Sequence, residues 1–171
     1  MNLEDLPPLE VMWEGRFVRA LRRGKWEYAG RTGGIRAVVI LAEHDGKVIL
    51  VEQPRVPLDC RCIELPAGLV GDDDPAATPE TAAIKELEEE TGFTAERVER
   101  LGEFYASPGM LSESFTLVRA HGVRRIGGGG GTDSEDITVH LVSRPEIPNF
   151  LEEKRAEGLG VDVKLLLLLN F

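Results

Sequence analysis

An early run of apolar positions, residues 35–42, predicts a strand that is buried on both faces. The dipeptide Asp45-Gly46 follows, and it is a strong signal for a hairpin turn into a second strand at residues 48–53. Later segments that alternate in polarity, or are short and bounded by turn residues, are also expected to be strands: residues 62–65, 98–105, 115–123 and 137–142.

Residues 1–33 are expected to form an N-terminal β-hairpin region, separate from a main domain at residues 34–171. Strands are predicted at residues 11–21 and 25–31, joined by a basic turn. Two strands alone are only marginally stable in water. We therefore expect this hairpin to pack either on the main domain or on a partner subunit.

Residues 79–91 have the composition and the end signals of a helix. Thr78 is the predicted N-cap, proline occupies the first helical position, and Gly92 supplies the C-terminal stop. Thr81 stands where a capping box has Glu or Gln, so we expect the box to be incomplete. Two closing helices are predicted at residues 145–157 and 161–170.

Three carboxylates on the predicted helix, Glu86, Glu89 and Glu90, are spaced i, i+3 and i+4 and so share one face. Like charges at this spacing destabilise a helix by a few tenths of a kcal/mol per pair, about 0.2–0.5. A hard divalent cation reverses that effect, because Mg²⁺ prefers oxygen ligands. The alternative interpretation is a solvated acidic face without a ligand.

The composition is that of an ordinary globular protein, and it argues against some classes of partner. A formal net charge of −10 over 171 residues does not suit a nucleic-acid-binding surface, which needs a basic stripe. The apolar run at residues 165–169 is much shorter than the ~20 residues of a membrane span, and the acidic first ten residues carry no secretion signal. Cys60 and Cys62 lack a second pair that would complete a zinc site, so we expect reduced thiols and a cytoplasmic location.

Two segments together resemble the Nudix hydrolase family. Residues 85–93, KELEEETGF, are similar to the second half of the Nudix box, R-E-U-x-E-E-x-G-U, in which U is an apolar residue. Residues 62–70, CIELPAGLV, resemble the C-I-E-x-P-A-G segment of the ADP-ribose pyrophosphatase branch. The resemblance implies an α/β fold, an α/β/α sandwich with a mixed β-sheet, to which this chain adds the N-terminal antiparallel β-hairpin.

The activity implied by this resemblance is hydrolysis of a nucleoside diphosphate linked to another group, for example of ADP-ribose to AMP and ribose 5-phosphate. The implied cofactor is Mg²⁺, with Mn²⁺ as a possible substitute, because negative oxygens screen the phosphorus from attack by water. By position in the box, Glu86 and Glu90 would bind the metal, and Glu89 would bind it or assist catalysis. The carbonyl of Ala67 would complete the site.

A general base is implied on a loop late in the sheet, which here is residues 127–136 with five consecutive glycines. We expect this loop to be mobile and select Glu135 as the base, with Asp133 and Asp136 as less favoured alternatives. A carboxylate beside a cation stays ionised and can accept a proton. The alternative interpretation is a solvated acidic loop.

Substrate-binding residues are implied by the same resemblance. Arg55 matches an arginine at the end of a Q-x-R strand, where its planar fork suits a phosphate. Trp26 and Glu27 match a W-E segment whose tryptophan stacks on adenine, often across a dimer interface; a tryptophan packed within the hairpin is the alternative. Arg31 would contact phosphate or ribose, and Glu113 would hold substrate or water.

The chain departs from the family pattern in the first half of the box. Ala77 and Lys85 replace a glutamate and an arginine that interact with each other in the family, and the segment between Gly68 and Thr78 is about three residues longer than usual. One of three consecutive aspartates could substitute for the missing glutamate: Asp72, Asp73 or Asp74.

The alternatives to ADP-ribose hydrolysis are hydrolysis of another sugar nucleotide, of the GDP-mannose or UDP-glucose type, and a Nudix-fold module that binds a nucleotide with weak or no catalysis. A third is an acidic interaction protein that binds no such ligand. We also expect a homodimer, because the hairpin buries little of its own surface and such strands exchange between subunits in the resembled branch.

Overall fold

The computed structural model describes residues 2–71, 74, 76–132 and 135–169, and describes only the backbone of Leu169. Its strands and helices, in chain order, are β1 (Glu10–Glu14), β2 (Val18–Arg23), β3 (Trp26–Arg31), β4 (Arg36–Leu41), β5 (Glu43–His44), β6 (Lys47–Arg55), β7 (Cys60–Glu64), β8 (Ala67–Val70), α1 (Pro79–Thr91), β9 (Phe93–Thr94), β10 (Arg97–Tyr105), β11 (Ser114–His121), β12 (Arg124–Arg125), β13 (Thr138–Ser143), α2 (Ile147–Ala156) and β14 (Gly160–Val161). Short 3₁₀ helices fill several of the connections.

Two sheets form the centre of the protein. One has the strand order β10-β11-β4-β8, in which β11 and β4 are parallel and the other pairs are antiparallel. The other has the order β13-β6-β7-β14, in which β7 and β14 form the parallel pair and β5 adds to β6. The N–H of Ile40 donates to the Pro66 carbonyl at 2.9 Å and links the two sheets. The expected mixed-sheet α/β architecture is therefore confirmed.

The apolar run in β4 supplies both faces of its sheet, because successive side chains of a strand point to opposite sides. Val38 and Ile40 pack in a core cluster with α1, whereas Val39 and Leu41 pack in a second cluster with α2 and the last 3₁₀ helix. All four side chains are at most 4% exposed. One helical layer on each side of the sheets gives the α/β/α sandwich.

The predicted central strands all occur, with ends that differ by at most two residues. The sequence analysis missed β8, because Pro66-Ala67-Gly68 carries the composition of a turn, and it missed the two-residue strands β5, β9, β12 and β14. Such short strands lack a local pattern and exist because a partner strand is already in place.

The helix α1 begins and ends where the sequence predicts, but its N-terminal box is complete. The Thr78 hydroxyl accepts from the Thr81 N–H at 3.2 Å, and the Thr81 hydroxyl accepts from the Thr78 N–H at 3.0 Å. Thr81 thus does the work of the usual Glu or Gln, since its side chain, although shorter, still reaches the backbone N–H of the N-cap residue. A box of this kind satisfies two N–H groups that a helix start leaves unpaired.

The N-terminal region is a three-stranded antiparallel sheet, β1-β2-β3, and not the two strands predicted. The segment 11–21 is divided because the N–H of Gly15 donates to the Val18 carbonyl at 2.9 Å and closes a turn. The middle of β3 attaches the sheet to the rest of the chain, since Ala29 exchanges backbone hydrogen bonds with Met110 and Ser112 at 2.8 and 3.0 Å.

The glycine run 127–131, which the sequence predicts to be a mobile loop, is docked on the end of α1. The N–H groups of Gly130 and Gly131 donate to the carbonyls of Glu90 and Glu89 at 2.9 and 3.0 Å. These are carbonyls of the last helical turn, which has no partners within the helix. A Cβ on Gly129, whose φ is +69°, would lie 2.3 Å from the Thr91 carbonyl carbon, so only glycine fits this contact.

The C-terminal segment also differs from the prediction. The first closing helix is α2, preceded by the 3₁₀ turn Arg144–Glu146, but residues 161–169 contain the end of β14 and the 3₁₀ helix Val163–Leu169. Pairing of β14 with β7 holds Gly160 and Val161 extended, so an α-helix cannot start at residue 161. The predicted end at Asn170 lies outside the described residues. Cys60 and Cys62 are both free thiols, and none of the described helices is long and apolar enough to span a membrane.

Candidate active site

A cavity of about 790 Å³ opens between α1, β8 and the end of β6. Seven of the predicted catalytic, metal-binding and substrate-binding residues line it: Arg31, Arg55, Ala67, Glu86, Glu90, Glu113 and Glu135. Segments that are far apart in the chain therefore meet here, including the Pro-Ala-Gly turn, the acidic helix and the loop after the glycine run. The cavity is large enough for a ligand of nucleotide size.

The strand β8 holds both cavity-facing carboxylates of α1 through its backbone. The N–H of Ala67 donates to Glu90 Oε2 at 3.1 Å, and the N–H of Leu69 donates to Glu86. Gly68 lies between these two donors, and a Cβ there would stand 2.0 Å from Glu86 Cδ. Glycine in the Pro-Ala-Gly turn is thus required for the close approach of strand and helix.

Burial and mutual repulsion make these carboxylates weak acids. Burial, with repulsion from Glu89, raises the pKa of Glu86 to about 7. Burial also raises the pKa of Glu90 to about 8, and Glu86 and Glu135 add to the effect. Two carboxylates that resist ionisation in the absence of a counter-charge form an oxygen-only donor pair, which suits a hard divalent cation.

The third carboxylate of the box, Glu89, does not line the cavity. Its side chain is 37% exposed and lies 3.9 Å from Lys85 Nζ, one helical turn earlier. Within the described residues, no three His, Cys, Asp or Glu side chains are already arranged to hold a metal ion. The carboxylates of the box that face the cavity are therefore Glu86 and Glu90, and their oxygens are donors of the kind that a hard cation prefers.

Glu135 and Asp136 occupy different environments. Glu135 lines the cavity, where its Oε2 accepts hydrogen bonds from the N–H and hydroxyl of Thr132 at 2.8 and 3.2 Å. Asp136 instead binds Arg61, which donates to its carboxylate at 2.6 Å and to its carbonyl at 3.1 Å. Of these two adjacent residues, Glu135 therefore presents its carboxylate to the cavity, whereas Asp136 is held by an arginine outside it. Asp133 lies outside the described residues.

Two arginines on the cavity wall are each oriented by a carboxylate. Arg55 donates to both oxygens of Glu64, at 2.6 and 2.7 Å, and this hydrogen bonding raises the pKa of the arginine. Arg31, at the end of β3, forms a hydrogen-bonded ion pair with Glu113. The second pair connects the N-terminal sheet to the segment before β11, so both elements contribute to one wall.

Trp26 and Glu27 are not brought to the cavity. Both are exposed at the turn between β2 and β3, and Trp26 is 45% exposed. The other exposed apolar side chains of this region include Val11, Trp13 and Phe17. The altered half of the box does reach the site, because Asp74, Ala77 and Lys85 line the cavity, whereas Asp72 and Asp73 lie outside the described residues.

The sequence analysis missed four polar cavity residues: Gln53, Glu64, Thr81 and Lys164. Gln53 and Glu64 belong to motifs that were recognised, Q-x-R and C-I-E-x-P-A-G. Gln53 lies two positions before Arg55 on β6, so strand alternation alone places it on the same side as that predicted phosphate-binding arginine. Lys164 comes from the last 3₁₀ helix, forms an ion pair with Asp162, and lies 6.0 Å from the Phe115 ring centroid. No local pattern connects Lys164 with the box.

Known proteins resemble this chain in sequence and in fold. The NUDIX domain model matches residues 33–157. The chain is 37% identical to the methanol dehydrogenase activator of Bacillus methanolicus over 134 residues, and this alignment covers 77% of this chain and 69% of that protein. It is also 37% identical to the GDP-mannose pyrophosphatase of Cronobacter sakazakii over 159 residues, an alignment that covers 86% of this chain and 77% of that protein.

A third relative, the ADP-ribose pyrophosphatase of Bacillus subtilis, is 45% identical over 78 residues, or 45% of this chain and 40% of that protein. Among solved structures, an ADP compounds hydrolase superposes with a TM-score of 0.67 at 22% identity, over 86% of this chain and 82% of that chain, which shows the same fold. The family match covers most of the chain and includes the cavity-facing carboxylates. The chain therefore belongs to the Nudix hydrolase family.

Proposed function

We propose that the protein hydrolyses the pyrophosphate of a nucleoside diphosphate sugar, with ADP-ribose as the first candidate. The observation that carries this proposal is the convergence of Glu135 with Glu86 and Glu90 on one side of a cavity whose wall also presents Arg31 and Arg55. Carboxylates beside oriented guanidinium groups suit a substrate with an anionic centre and a water nucleophile. The B. subtilis ADP-ribose pyrophosphatase supports the choice of sugar nucleotide.

A divalent cation, Mg²⁺ or alternatively Mn²⁺, is part of the proposal. Glu86 and Glu90 would hold it, with the carbonyl of Ala67 and, after rotation of its exposed side chain, Glu89. When bound, the cation supplies charge neutralisation for these carboxylates and Lewis acidity toward the pyrophosphate. Oxygen donors and the raised pKa values of Glu86 and Glu90 both fit such an ion.

The residues of the chain perform the remaining steps. Arg55, fixed by Glu64, and Arg31, fixed by Glu113, would orient the pyrophosphate. Glu135 would accept a proton from water as the water oxygen bonds to phosphorus, and the P–O bond of the bridging oxygen breaks. With ADP-ribose the products are AMP and ribose 5-phosphate, and the proton is finally released to solvent.

The deciding experiment is product analysis over a panel of nucleotide sugars with Mg²⁺. We expect AMP from ADP-ribose, and we expect this activity to be lost in Glu90→Gln. GDP-mannose is the second candidate substrate, because the C. sakazakii GDP-mannose pyrophosphatase matches 86% of the chain. Tight binding of ADP-ribose without product would instead identify a binding module, for which Ala77 and Lys85 in place of the usual ion pair are the supporting features.

We also propose a homodimer in which the N-terminal region, residues 1–33, contributes Trp26 and Glu27 to base binding. The supporting observation is that Val11, Trp13 and Trp26 are 45–61% exposed on one sheet, an arrangement that a second copy would cover. Sedimentation of a monomer at micromolar concentration would contradict this part.

A cytoplasmic location is proposed from the two free thiols.

A further inference from the structure

The cavity wall contains a polar group that the described residues leave unused. The side-chain nitrogen of Gln53 is buried and has no hydrogen-bond partner in the described part of the chain. The residue lines the cavity, is 8% exposed, and is the only glutamine of the sequence. The other such atom, Arg19 Nε, belongs to the N-terminal sheet and does not line the cavity.

Strand geometry places Gln53 beside Arg55. The two residues are two positions apart on β6, so their side chains point to the same side of the sheet. Pro54 between them is exposed and does not line the cavity. Gln53 is much less exposed than the Arg55 side chain, which is 41% exposed, so the glutamine lies at the inner end of this pair.

The carboxylates of the same cavity wall are oriented toward other donors. Glu64 accepts two hydrogen bonds from Arg55, Glu90 accepts one from the Ala67 N–H, and neither pairs with the Gln53 nitrogen. An unpaired amide N–H in a buried position disfavours the folded state, because the group loses its hydrogen bond to water. An apolar residue of the same size would not carry this penalty. A buried polar group without a partner therefore calls for a ligand that pairs with it.

We propose that Gln53 is a substrate-binding residue whose amide N–H donates to a non-bridging oxygen of the substrate pyrophosphate, next to Arg55. The inference rests on the proposed function. Such an oxygen only accepts hydrogen bonds, so it matches a donor that has no other partner. The terminal torsion of glutamine has broad minima, which lets the amide turn toward the cavity surface when the ligand arrives.

The test is the steady-state kinetics of Gln53→Met with Mg²⁺ and ADP-ribose. Methionine keeps the length of the side chain and removes the donor. We expect kcat/KM to fall about tenfold to a hundredfold, mostly through KM, as for a hydrogen bond to a charged acceptor made in both ground and transition states. We expect the melting temperature to stay equal or rise, because the unpaired donor is gone. Pro54→Ala is the matched control on the same strand, with unchanged kinetics expected.

A kcat/KM of Gln53→Met within twofold of the wild type would overturn the inference, and a lower melting temperature beside it would indicate a packing role for Gln53. Failure of the proposed function has a different signature, which is that the wild-type protein cleaves no nucleotide sugar of the panel. In that case, calorimetry with α,β-methylene ADP-ribose decides on Gln53. Weaker binding by Gln53→Met supports the contact, whereas equal binding, or no binding by the wild type, contradicts it.

Discussion

Glu64 holds Arg55 through two parallel hydrogen bonds, of 2.6 and 2.7 Å, on adjacent strands of the central sheet. The glutamate side chain is 4% exposed and the arginine side chain 41% exposed. The buried Glu64 therefore fixes the orientation of the Arg55 guanidinium, whose outer side faces the cavity. This geometry uses the planar fork of arginine, which lysine cannot reproduce.

The first prediction concerns Arg55→Lys. The variant keeps the charge but loses the fork, so we expect kcat/KM for the nucleotide sugar to fall by about tenfold or more, because a bidentate arginine site is not equivalent to a lysine site. Steady-state kinetics checks this. Arg100→Lys is the matched control, since Arg100 is exposed on β10 away from the cavity. Equal kinetics of the two variants would show that the fork is not used.

The second prediction separates the neighbouring carboxylates Glu135 and Asp136. We expect Glu135→Gln to lower kcat by roughly 10²–10⁴-fold, the usual effect of removing a general base. Asp136→Asn should have a much smaller effect on kcat, because it weakens one hydrogen bond with Arg61 and leaves the cavity-facing carboxylate in place. Single-turnover kinetics measures both. The opposite order of effects would reassign the base to Asp136.

The third prediction compares two glycines of the run 127–131. Gly129→Ala places a Cβ 2.3 Å from the Thr91 backbone and requires φ near +69°, so we expect a loss of roughly 1–3 kcal/mol in unfolding free energy and a lower kcat, because the Glu135 segment leaves the helix end. Gly128→Ala meets no atom within 4 Å and serves as the control. Denaturant unfolding and kcat check both variants. Equal stability of the two would mean that the run is not docked in solution.

The fourth prediction is a pH dependence of stability in the metal-free protein. Glu86 and Glu90 have folded-state pKa values of about 7 and about 8, above the ordinary value of 4.5, so the folded state binds their protons more tightly than the unfolded state. The unfolding free energy should therefore fall by a few kcal/mol between about pH 5 and pH 9, at up to ~1.4 kcal/mol per pKa unit.

Urea unfolding in EDTA at pH 5, 7 and 9 measures this fall. Addition of Mg²⁺ at pH 8 should reverse most of it, because the cation favours the ionised carboxylates. Glu90→Gln is the comparison variant, since it removes the more buried of the two acids and should flatten the profile. A stability that rises with pH over this range in EDTA would contradict the electrostatic description of the site.

Local sequence signals were sufficient for the helix α1 and for the carboxylates on it. Its caps and proline fix the two ends within the segment itself, and helical periodicity alone places Glu86 and Glu90 on one face. Local signals also located the central strands, because the apolar run at residues 35–42 fits only a position covered on both sides. The pairing of β4 with β11 and β8 required the folded chain.

Long-range contacts decided what the sequence left open or predicted incorrectly. Five consecutive glycines considered alone indicate a conformationally free backbone. In the folded chain, the carbonyls of Glu89 and Glu90, which have no partners within the helix, accept hydrogen bonds from the run and hold it at the helix end. Glu135 and Asp136 are chemically similar neighbours, and their partners distinguish them: Thr132 for Glu135 and Arg61 for Asp136. The three N-terminal strands depend likewise on a turn closed by Gly15.

The sequence by itself thus determined the helix α1, the central strands and the shared face of Glu86 and Glu90, because composition and spacing are local properties of the chain. Only the tertiary structure decided which of those residues share a cavity, which are held by partners and which polar group remains unpaired. The physical reason is that hydrogen bonds and burial depend on groups that lie far apart in the chain, such as Arg61 with Asp136 and Ala67 with Glu90.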